Sequence, residues 1–413
     1  MVMNDLLKDG LKNNLIKETN ETSEKLFING EAKSYPIYEI PLELLYYNDK
    51  NDRIATWISK YKSENSEGLN ITDRENYNNI IQEFIIESNP DSIKKTKNNI
   101  GLVGQLKSGI VLNDGRIIDG NRRFTCLRQL NKENPLKNGY FRAVILNFDL
   151  KNNEKQIKTL ELLVQIGEDK KISYNPIDRL VGIYNDLINE ETKLFNVEEY
   201  SKITNEDVPK IREYIKYANL MVDYLDWINA PLQFHIARDN DIEGSLHEIE
   251  RFVKKAKTDE EADNIKQVLF NMLLIKPEND ISKYIRKTGE NIISSKYANQ
   301  FIDEQLEIIQ SVQSILLNPD YQYIDKKELI NIVRSNNNIK GDIEKSRTLL
   351  IEKNKRERII NEPVELVNKS IEVIESIDTN ILKKLSASQL EDVKYSLSRL
   401  EDLLNTIRSS IED

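Results

Sequence analysis

The sequence predicts an α+β protein, in which a small mixed-sheet domain precedes an all-α segment and a long helical C-terminal region. Short alternating or continuous apolar runs, bounded by Gly, Asn and Asp, are confined to the first 150 residues and are typical of strands. From about residue 154 onward, apolar residues recur three and four positions apart, the spacing of amphipathic helices. The length of 413 residues allows two or three domains.

The predicted sheet domain covers residues 35–152 and follows a polar range, 1–34, that we interpret as a flexible arm. Alternation in YPIYEI indicates the first strand, and the turn residues of SNPDSIKKTKNN at 88–99 indicate a loop. An Asp-Gly pair between two apolar runs indicates a hairpin. Three further strands are predicted, at 109–112, 116–118 and 141–148.

The remaining sequence predicts helices in three parts. Residues 153–230 contain two short helical patterns around a polar turn, which is the spacing of a helix-turn-helix. Residues 231–345 predict a further helical domain. Residues 346–413 predict a C-terminal helical hairpin with apolar residues at heptad spacing. These residues either pack on their own domain or form a homodimer.

Charge restricts where a polyanion can bind. The net charge of −10 argues against indiscriminate nucleic-acid binding, because the long-range field repels phosphates. Residues 91–142 are the exception, since 11 Lys and Arg against 4 Asp and Glu give this segment +7 and the rest of the chain −17. An anionic ligand is therefore expected to bind here first.

Several classes of protein are excluded by residue type. His235 and His247 are 12 positions apart and lack the i, i+4 spacing of a helical zinc pair, so we predict no metal site built from histidine. Cys126 is the single cysteine and is expected to be a small buried helix residue. The apolar runs fall short of the roughly 20 residues of a membrane span, and the N-terminus lacks the apolar core of a secretory signal. We expect a cytoplasmic protein with no membrane partner.

The segment DGNRR at 119–123 follows a strand and starts a helix, which favours anion binding. Gly120 lets backbone N–H groups approach a ligand, and the helix N-terminus adds its positive dipole end. Arg122 and Arg123 can grip phosphate oxygens with two N–H groups each. Asp119 is expected to orient an arginine, a metal ion or a water molecule. The alternative is an ordinary strand-to-helix turn whose arginines pair with surface carboxylates.

The same segment resembles the GERRxRA box of the ParB/sulfiredoxin superfamily, and two other segments resemble motifs of that family in the same order. YYNDKNDRIATWI is similar to its NPxQPR-type segment, with Arg53 in the place of the motif's arginine. SYNPIDRLVGIYNDL is similar to its LSPIE-type helix, which precedes a helix-turn-helix in ParB-like partition proteins. The start at Asp119 is also similar to the DGQR motif of restriction and defence subunits. The resemblance covers roughly residues 35–230.

This resemblance implies a pocket for a nucleoside triphosphate, CTP or ATP. It does not decide whether Mg²⁺ binds with the nucleotide. Partition proteins carry an ENxQR box whose Glu and Asn bind magnesium, whereas this chain reads LVQIGEDKK at 163–171. Gln165 takes the place of that Glu, or Glu168 does after a shift, so metal-dependent hydrolysis is undecided. The nucleotide contacts implied by position are Arg53, Asp119, Gly120, Asn121, Arg122, Arg123 and Gln165.

Three functions fit the sequence. The first is a homodimeric ParB-like protein whose nucleotide gates DNA binding, on a mobile element or in an anti-phage defence locus, with a partition or defence protein as partner. Lys210, Arg212 and Lys216 on the second helix of the helix-turn-helix would then contact DNA, although a structural role for this helix pair is equally open. The second is an NTPase or nuclease subunit of a restriction system. The third is an interaction scaffold without a ligand.

Overall fold

The computed structural model describes residues 5–19, 23–28, 31–148, 152–168, 175–321 and 323–412. Within them the protein is α+β, with a six-stranded mixed sheet in the N-terminal part and helices after it. Contacts divide the chain into two compact units, Met1–Arg347 and Thr348–Asp413. The finer domain boundaries at 34, 152 and 230 remain predictions.

Two sheets are present among the described residues. Six strands have the order β1-β4-β8-β6-β7-β5, and β2 and β3 form a separate antiparallel hairpin. The larger sheet is mixed because β6 pairs in parallel with β8 and antiparallel with β7. The strands are β1 (Lys17–Glu18), β2 (Glu24–Ile28), β3 (Glu31–Tyr35), β4 (Ile37–Pro41), β5 (Tyr46–Tyr47), β6 (Gly109–Leu112), β7 (Arg116–Asp119) and β8 (Tyr140–Leu146).

Helices flank the sheet and make up the rest of the chain. A 3₁₀ turn, Asp52–Ile54, leads into the first of them. The helices are α1 (Ala55–Glu64), α2 (Arg74–Ser88), α3 (Pro90–Val103), α4 (Asn121–Glu133), α5 (Pro135–Asn138), α6 (Glu154–Glu168), α7 (Pro176–Ile183), α8 (Val197–Thr204), α9 (Val208–Trp227), α10 (Phe234–Asp239), α11 (Glu243–Val253), α12 (Asp259–Ile275), α13 (Ile281–Thr288), α14 (Ala298–Leu316), α15 (Lys326–Ser335), α16 (Asn337–Glu375), α17 (Thr379–Leu382) and α18 (Ala387–Glu412).

The prediction of a loop at 88–99 is wrong, because α3 occupies this range. The Asn89 side chain accepts a hydrogen bond from the Ser92 N–H, and Pro90 takes the first helical position, where its missing N–H costs nothing. Ile93 and Ile100 are buried on one face of the helix. The Asn-Pro pair is thus a helix start and not a turn, and the lysines lie on the outer face.

The range 1–34 differs from the predicted arm in containing regular structure. Leu6 and Ile16 are buried, with exposures of 0% and 2%. β1 pairs antiparallel with β4 and extends the sheet by one strand. These two buried side chains and the β1–β4 pairing anchor the range to the sheet domain.

The sheet has an apolar layer on each face, as expected when side chains alternate along a strand. Val111 and Ile117 pack toward α2, α3 and α4, where Phe124 is wholly buried. Their neighbours Ile110 and Ile118 pack on the opposite face, toward α6. β7 and α4 are therefore fixed from both sides at the point where they meet.

Cys126 lies in the first of these layers, on α4, with an exposure of 0%. Its Sγ donates to the Ile93 backbone oxygen at 3.5 Å. Burial raises the pKa of the thiol to about 11. This environment agrees with the predicted small buried helix residue.

The second unit, Thr348–Asp413, presents apolar side chains to solvent on its helices. Five residues of α18 at heptad spacing are between 37% and 78% exposed: Leu390, Leu397, Leu404, Ile407 and Ile411. Val364, Val367, Ile371 and Ile374 on α16 are 40% to 61% exposed. In the part of the chain that the structure describes, no helix combines the length and apolarity required to cross a membrane.

Candidate functional site

A cavity of about 520 Å³ lies where β7 ends and α4 begins. Its volume is within the range of small-molecule sites, roughly 300–1,000 Å³. Every residue predicted as a nucleotide contact lines it, and these residues are Arg53, Asp119, Gly120, Asn121, Arg122, Arg123 and Gln165. The structure thus brings together side chains from three segments, while their role in nucleotide binding stays a prediction.

Gly120 is required by the turn between β7 and α4. Its φ of 102° lies in the left-handed region, and an added Cβ would be 2.7 Å from Cζ of Phe141. As the N-cap residue of α4 it supplies no side-chain acceptor to the helix. An anion bound at this point would accept from the first turn of α4 in place of a capping side chain.

Asn121, the first residue of α4, carries a buried oxygen that lacks a donor. Its Oδ1 has no hydrogen-bond partner among the residues that the structure describes. A buried acceptor without a partner is costly, and such groups often mark sites completed by a ligand or an ion. A ligand that supplies a hydroxyl or amino donor, or a cation, would satisfy this atom.

The two arginines of the segment are held by polar groups inside the domain. Arg123 donates to Oδ2 of Asp119 at 2.8 Å and to the Ser108 backbone oxygen at 3.3 Å. Arg122 donates to Oγ of Ser92 on α3 at 2.9 Å. The side chain of Asp119 is 12% exposed, so the partner of Arg123 is a cavity carboxylate and not a surface one. Asp119 therefore orients an arginine, which is one of its three predicted roles.

A buried glutamate that the sequence analysis did not assign lines the same cavity. Glu161 on α6 is 3% exposed and lines the cavity with Gln165, whose Nε2 is 3.5 Å from Oε1 of Glu161. Burial raises the pKa of Glu161 to about 8, while the charges of Lys158 and Arg53 oppose this shift. Burial therefore favours the protonated form of Glu161. The side chain of Glu168, the alternative to Gln165, lies outside the described residues.

A cluster of charged residues lines a second cavity of about 380 Å³. Nζ of Lys158 is 2.8 Å from both carboxylate oxygens of Asp52 and 3.5 Å from Oδ1 of Asp186. Gly182 permits this packing, because a Cβ there would be 2.9 Å from Oδ2 of Asp52. Burial raises the pKa of Asp186 to about 7. Glu161 lines both cavities and so connects the cluster with the first one.

Replacing Glu161 with Gln is expected to flatten the dependence of stability on pH. Between about pH 4.5 and 8 the unfolded Glu161 has lost a proton that the folded one retains, so the free energy of unfolding falls as pH rises through this window. Each pKa unit corresponds to about 1.4 kcal/mol. Urea unfolding at pH 5, 6, 7 and 8 measures this slope, and Asp186 contributes to it in the same direction.

Glu154→Gln is the matched control, because Glu154 lies on the same helix with its side chain 43% exposed. The slope of this variant should equal that of the wild type. An equal slope in Glu161→Gln would show that the buried carboxyl does not retain its proton in the folded protein.

A second group missed by the sequence analysis reaches the cavity from α10. The guanidinium of Arg238 lies 3.8 Å from the centre of the Trp57 ring and donates to Oγ1 of Thr56 at 2.9 Å. Thr56 in turn donates to Oδ1 of Asp178 at 2.6 Å. Burial raises the pKa of Asp178 to about 6, although the bond from Thr56 and the charge of Arg238 favour its ionised form. Trp57, Asp178 and Arg238 all line the cavity.

The sequence contained a signal for Glu161 but none for Arg238. Glu161 is a single charge within the apolar run TLELLV, and a charge on an apolar helix face is unexpected unless it has a local function. Arg238 follows the helix-turn-helix and lies 115 positions after Arg123. Only the packing of α10 on α1 brings it to this site.

The three predicted DNA contacts lie elsewhere, on α9, the second helix of the helix-turn-helix. α8 and α9 are joined by a turn in which Asn205 has a φ of 52°. All three basic residues are exposed, and each lies near a carboxylate. The pairs are Lys210 with Glu206 at 3.4 Å, Arg212 with Glu198 at 3.7 Å and Lys216 with Glu250 at 2.9 Å. The side chains of the three cations are 52% to 66% exposed, whereas those of Glu206 and Glu250 are 20% and 17% exposed, so a phosphate bound here would compete with partly buried carboxylates.

Protein side chains alone do not form a metal site in the described ranges. They contain no group of three or more His, Cys, Asp and Glu side chains arranged to hold a metal ion. Any Mg²⁺ at the cavity would therefore depend on ligand oxygens in addition to those of the protein, as is common for magnesium bound with phosphates.

Comparison with known proteins gives one structural likeness. No family model matches the sequence, and no curated protein matches it. A solved structure of a Pnob8-like ParB-N domain, in its C2221 form, aligns with 73% of this chain and 98% of its own length, at 12% identity. The TM-score of this alignment is 0.30, which is too low to carry an argument about fold or function. The α+β class rests on the sheet and helices described above.

Proposed function

We propose that this protein binds a nucleoside triphosphate in the 520 Å³ cavity and that the bound nucleotide gates its binding to DNA. The observation that carries the proposal is the start of α4, where Gly120, Asn121, Arg122 and Arg123 meet one cavity. The resemblance of this segment to the ParB/sulfiredoxin box extends the proposal to CTP or ATP. The same resemblance supports a homodimer that acts with a partner protein on a mobile element or in an anti-phage defence locus.

The charge of the cavity lining supports a polyanionic ligand. Five cationic side chains line it against three carboxyl groups, which gives a formal charge of +2. Burial favours the neutral form of Glu161, and in that form the lining is more positive still. The cationic side chains are Arg53, Lys107, Arg122, Arg123 and Arg238, and the carboxyl groups are Asp119, Glu161 and Asp178.

Magnesium bound with the phosphates would fit three oxygen atoms of this lining. Oδ1 of Asn121 is a buried acceptor, and Glu161 and Gln165 offer further oxygens on one face of α6. A bound divalent cation would favour the ionised form of Glu161 and lower its pKa. The ion would supply charge neutralisation for the phosphates, while the arginines orient them.

Isothermal titration of the wild-type protein with CTP, ATP and GTP, each with and without Mg²⁺, tests the proposal. We expect one nucleotide to bind, and the triphosphate to bind more tightly than its monophosphate because the arginines at α4 contact phosphate. Absence of binding by every nucleotide would reject the proposed function.

Gating predicts that the same nucleotide changes DNA affinity, and that a triple variant of α9 binds DNA more weakly in both states. Lys210→Ala, Arg212→Ala and Lys216→Ala together remove three exposed cations. If each contacts a phosphate, the slope of log affinity against log salt falls by roughly 0.9 for each residue. Fluorescence anisotropy at several salt concentrations, with and without nucleotide, measures this change.

The matched control is a triple variant of exposed lysines outside the helix-turn-helix, Lys94→Ala, Lys132→Ala and Lys327→Ala, which changes the net charge equally. An unchanged salt slope in the α9 variant, with DNA still bound, would assign a structural role to the helix-turn-helix.

An NTPase is a second candidate, and it is favoured by Glu161. In its ionised form, a buried carboxylate in a cationic cavity can accept a proton from the attacking water. Release of nucleoside diphosphate and inorganic phosphate over time, lost in Glu161→Gln while nucleotide affinity is retained, would favour hydrolysis. Nucleotide that remains intact while DNA affinity changes would favour gating without hydrolysis.

A further inference from the structure

Arg238 on α10 is the group through which the cavity reaches the helices that follow the helix-turn-helix. We infer that Arg238 binds the nucleotide directly and that this contact transmits nucleotide binding to α9. This inference rests on the proposed function, since it names a further ligand contact of the same cavity.

Arg238 is fixed in a geometry that suits an anion. Its side chain is 11% exposed and its guanidinium plane lies against Trp57, which limits its rotation. Nε and Nη2 donate to one oxygen of Asp239 at 3.2 and 2.9 Å, and Nη1 donates to Thr56 at 2.9 Å. A preorganised arginine loses little conformational entropy when it binds an oxyanion.

Two N–H groups of Arg238 have no hydrogen bond to any residue that the structure describes and can donate to a ligand. A guanidinium has five N–H groups, and the contacts to Asp239 and Thr56 account for three of them. The other two belong to Nη1 and Nη2, at the end of the side chain, and Arg238 belongs to the cavity lining. Phosphate oxygens are acceptors that arginine can bind with two parallel N–H groups.

Arg238 lies in a different part of the chain from the other cationic residues that line the cavity. The others lie before residue 124, in the sheet domain and its associated helices. α10 follows α9 after a six-residue connection, 228–233, and packs against α9, α7 and α1. The neighbours Ile236 and Ala237 are buried, at 2% and 0% exposure, so α10 moves as part of the helical core.

A nucleotide held at both sites would tie the start of α4 to α10. Arg122 and Arg123 would grip it from the sheet domain, and Arg238 from the helical side. Because a ligand stabilises the arrangement in which it makes both sets of contacts, the position of α10 and of the adjoining end of α9 would become less variable. The contact thus gives the helix-turn-helix a direct connection to the nucleotide.

The experiment compares wild type, Arg238→Gln, Arg238→Lys and the control Arg286→Gln, using the nucleotide that the wild type binds in titration. Arg286 lies on α13, outside the cavity lining, with its side chain 48% exposed and paired with Glu248. We expect triphosphate affinity to fall about tenfold to a hundredfold in Arg238→Gln. The loss should be smaller in Arg238→Lys, because lysine keeps the charge but lacks the two parallel N–H groups of the guanidinium. The control should match the wild type.

Hydrogen exchange with and without saturating nucleotide is the second readout. Loss of a purely structural arginine would not remove the protection that the nucleotide adds. We expect the nucleotide to protect residues 208–239 from exchange in the wild type, and this protection to be lost in Arg238→Gln. Unchanged affinity and unchanged protection in a folded Arg238→Gln would overturn the inference and leave the proposed function standing. A wild type that binds no nucleotide would overturn both.

Discussion

Replacing Arg122 and Arg123 together with alanine is expected to abolish triphosphate binding. Each arginine can form charge-assisted hydrogen bonds with phosphate, and a hydrogen bond to a charged group contributes about 1.5–3 kcal/mol. Loss of both should weaken binding by at least about a hundredfold. Isothermal titration with the nucleotide that the wild type binds measures the loss, and thermal unfolding shows whether the variant remains folded.

The controls separate a loss of binding from a loss of fold. Arg123 forms an ion pair with Asp119. Removal of Arg123 would leave this partly buried carboxylate without its cation, which lowers the stability of the fold. Arg122→Ala alone keeps the ion pair of Arg123 with Asp119, so it tests whether affinity is lost while that pair is retained. Lys94→Ala with Lys132→Ala changes the charge equally on α3 and α4, outside the cavity. Wild-type affinity in the double arginine variant would reject the assignment of this cavity.

Deleting residues 363–413 is expected to lower the oligomeric state. The apolar heptad residues of α18 and of the second half of α16 are largely exposed within their own unit. Apolar residues repeated at this spacing are stabilised when a second helix covers them, and a second copy of the chain offers the same pattern. Light scattering should give half the particle mass, or less, after the deletion.

Point variants test the same surface without removing a segment. Leu397→Glu with Leu404→Glu places charges on the apolar side of α18, and Ser398→Glu with Asn405→Glu places the same charges one position along the helix. The first pair should dissociate the particle and the second should not. An unchanged number of chains per particle in the deletion and in the first pair would remove the homodimer from the proposal.

The strands were predictable because their determinants are local. β6, the Asp-Gly turn and β7 follow directly from two apolar runs around a turn signal, and the structure confirms them at 109–112 and 116–119. α3 was not predicted because Asn-Pro can start either a turn or a helix, and the buried face of α3 consists of isoleucines seven positions apart. β1 depends on pairing with β4 and has no apolar pattern of its own.

The candidate site was predictable to the extent that it is contiguous in sequence. Residues 119–123 form one turn, and their chemistry can be read from residue type and order. Glu161 required knowledge of which face of α6 meets the sheet, because its burial and not its identity raises its pKa. Arg238 required the tertiary packing of α10 on α1, which no local pattern encodes.

Cys126 has a practical consequence for labelling. Because its thiol is wholly enclosed and its pKa is about 11, very little of the reactive thiolate is present at neutral pH. Maleimide dyes should therefore spare the native cysteine. Cysteines introduced at exposed positions, such as Lys132 on α4 and Lys216 on α9, can then carry a donor and an acceptor in the otherwise unmodified chain. Energy transfer between them would follow the separation of α4 and the helix-turn-helix in real time.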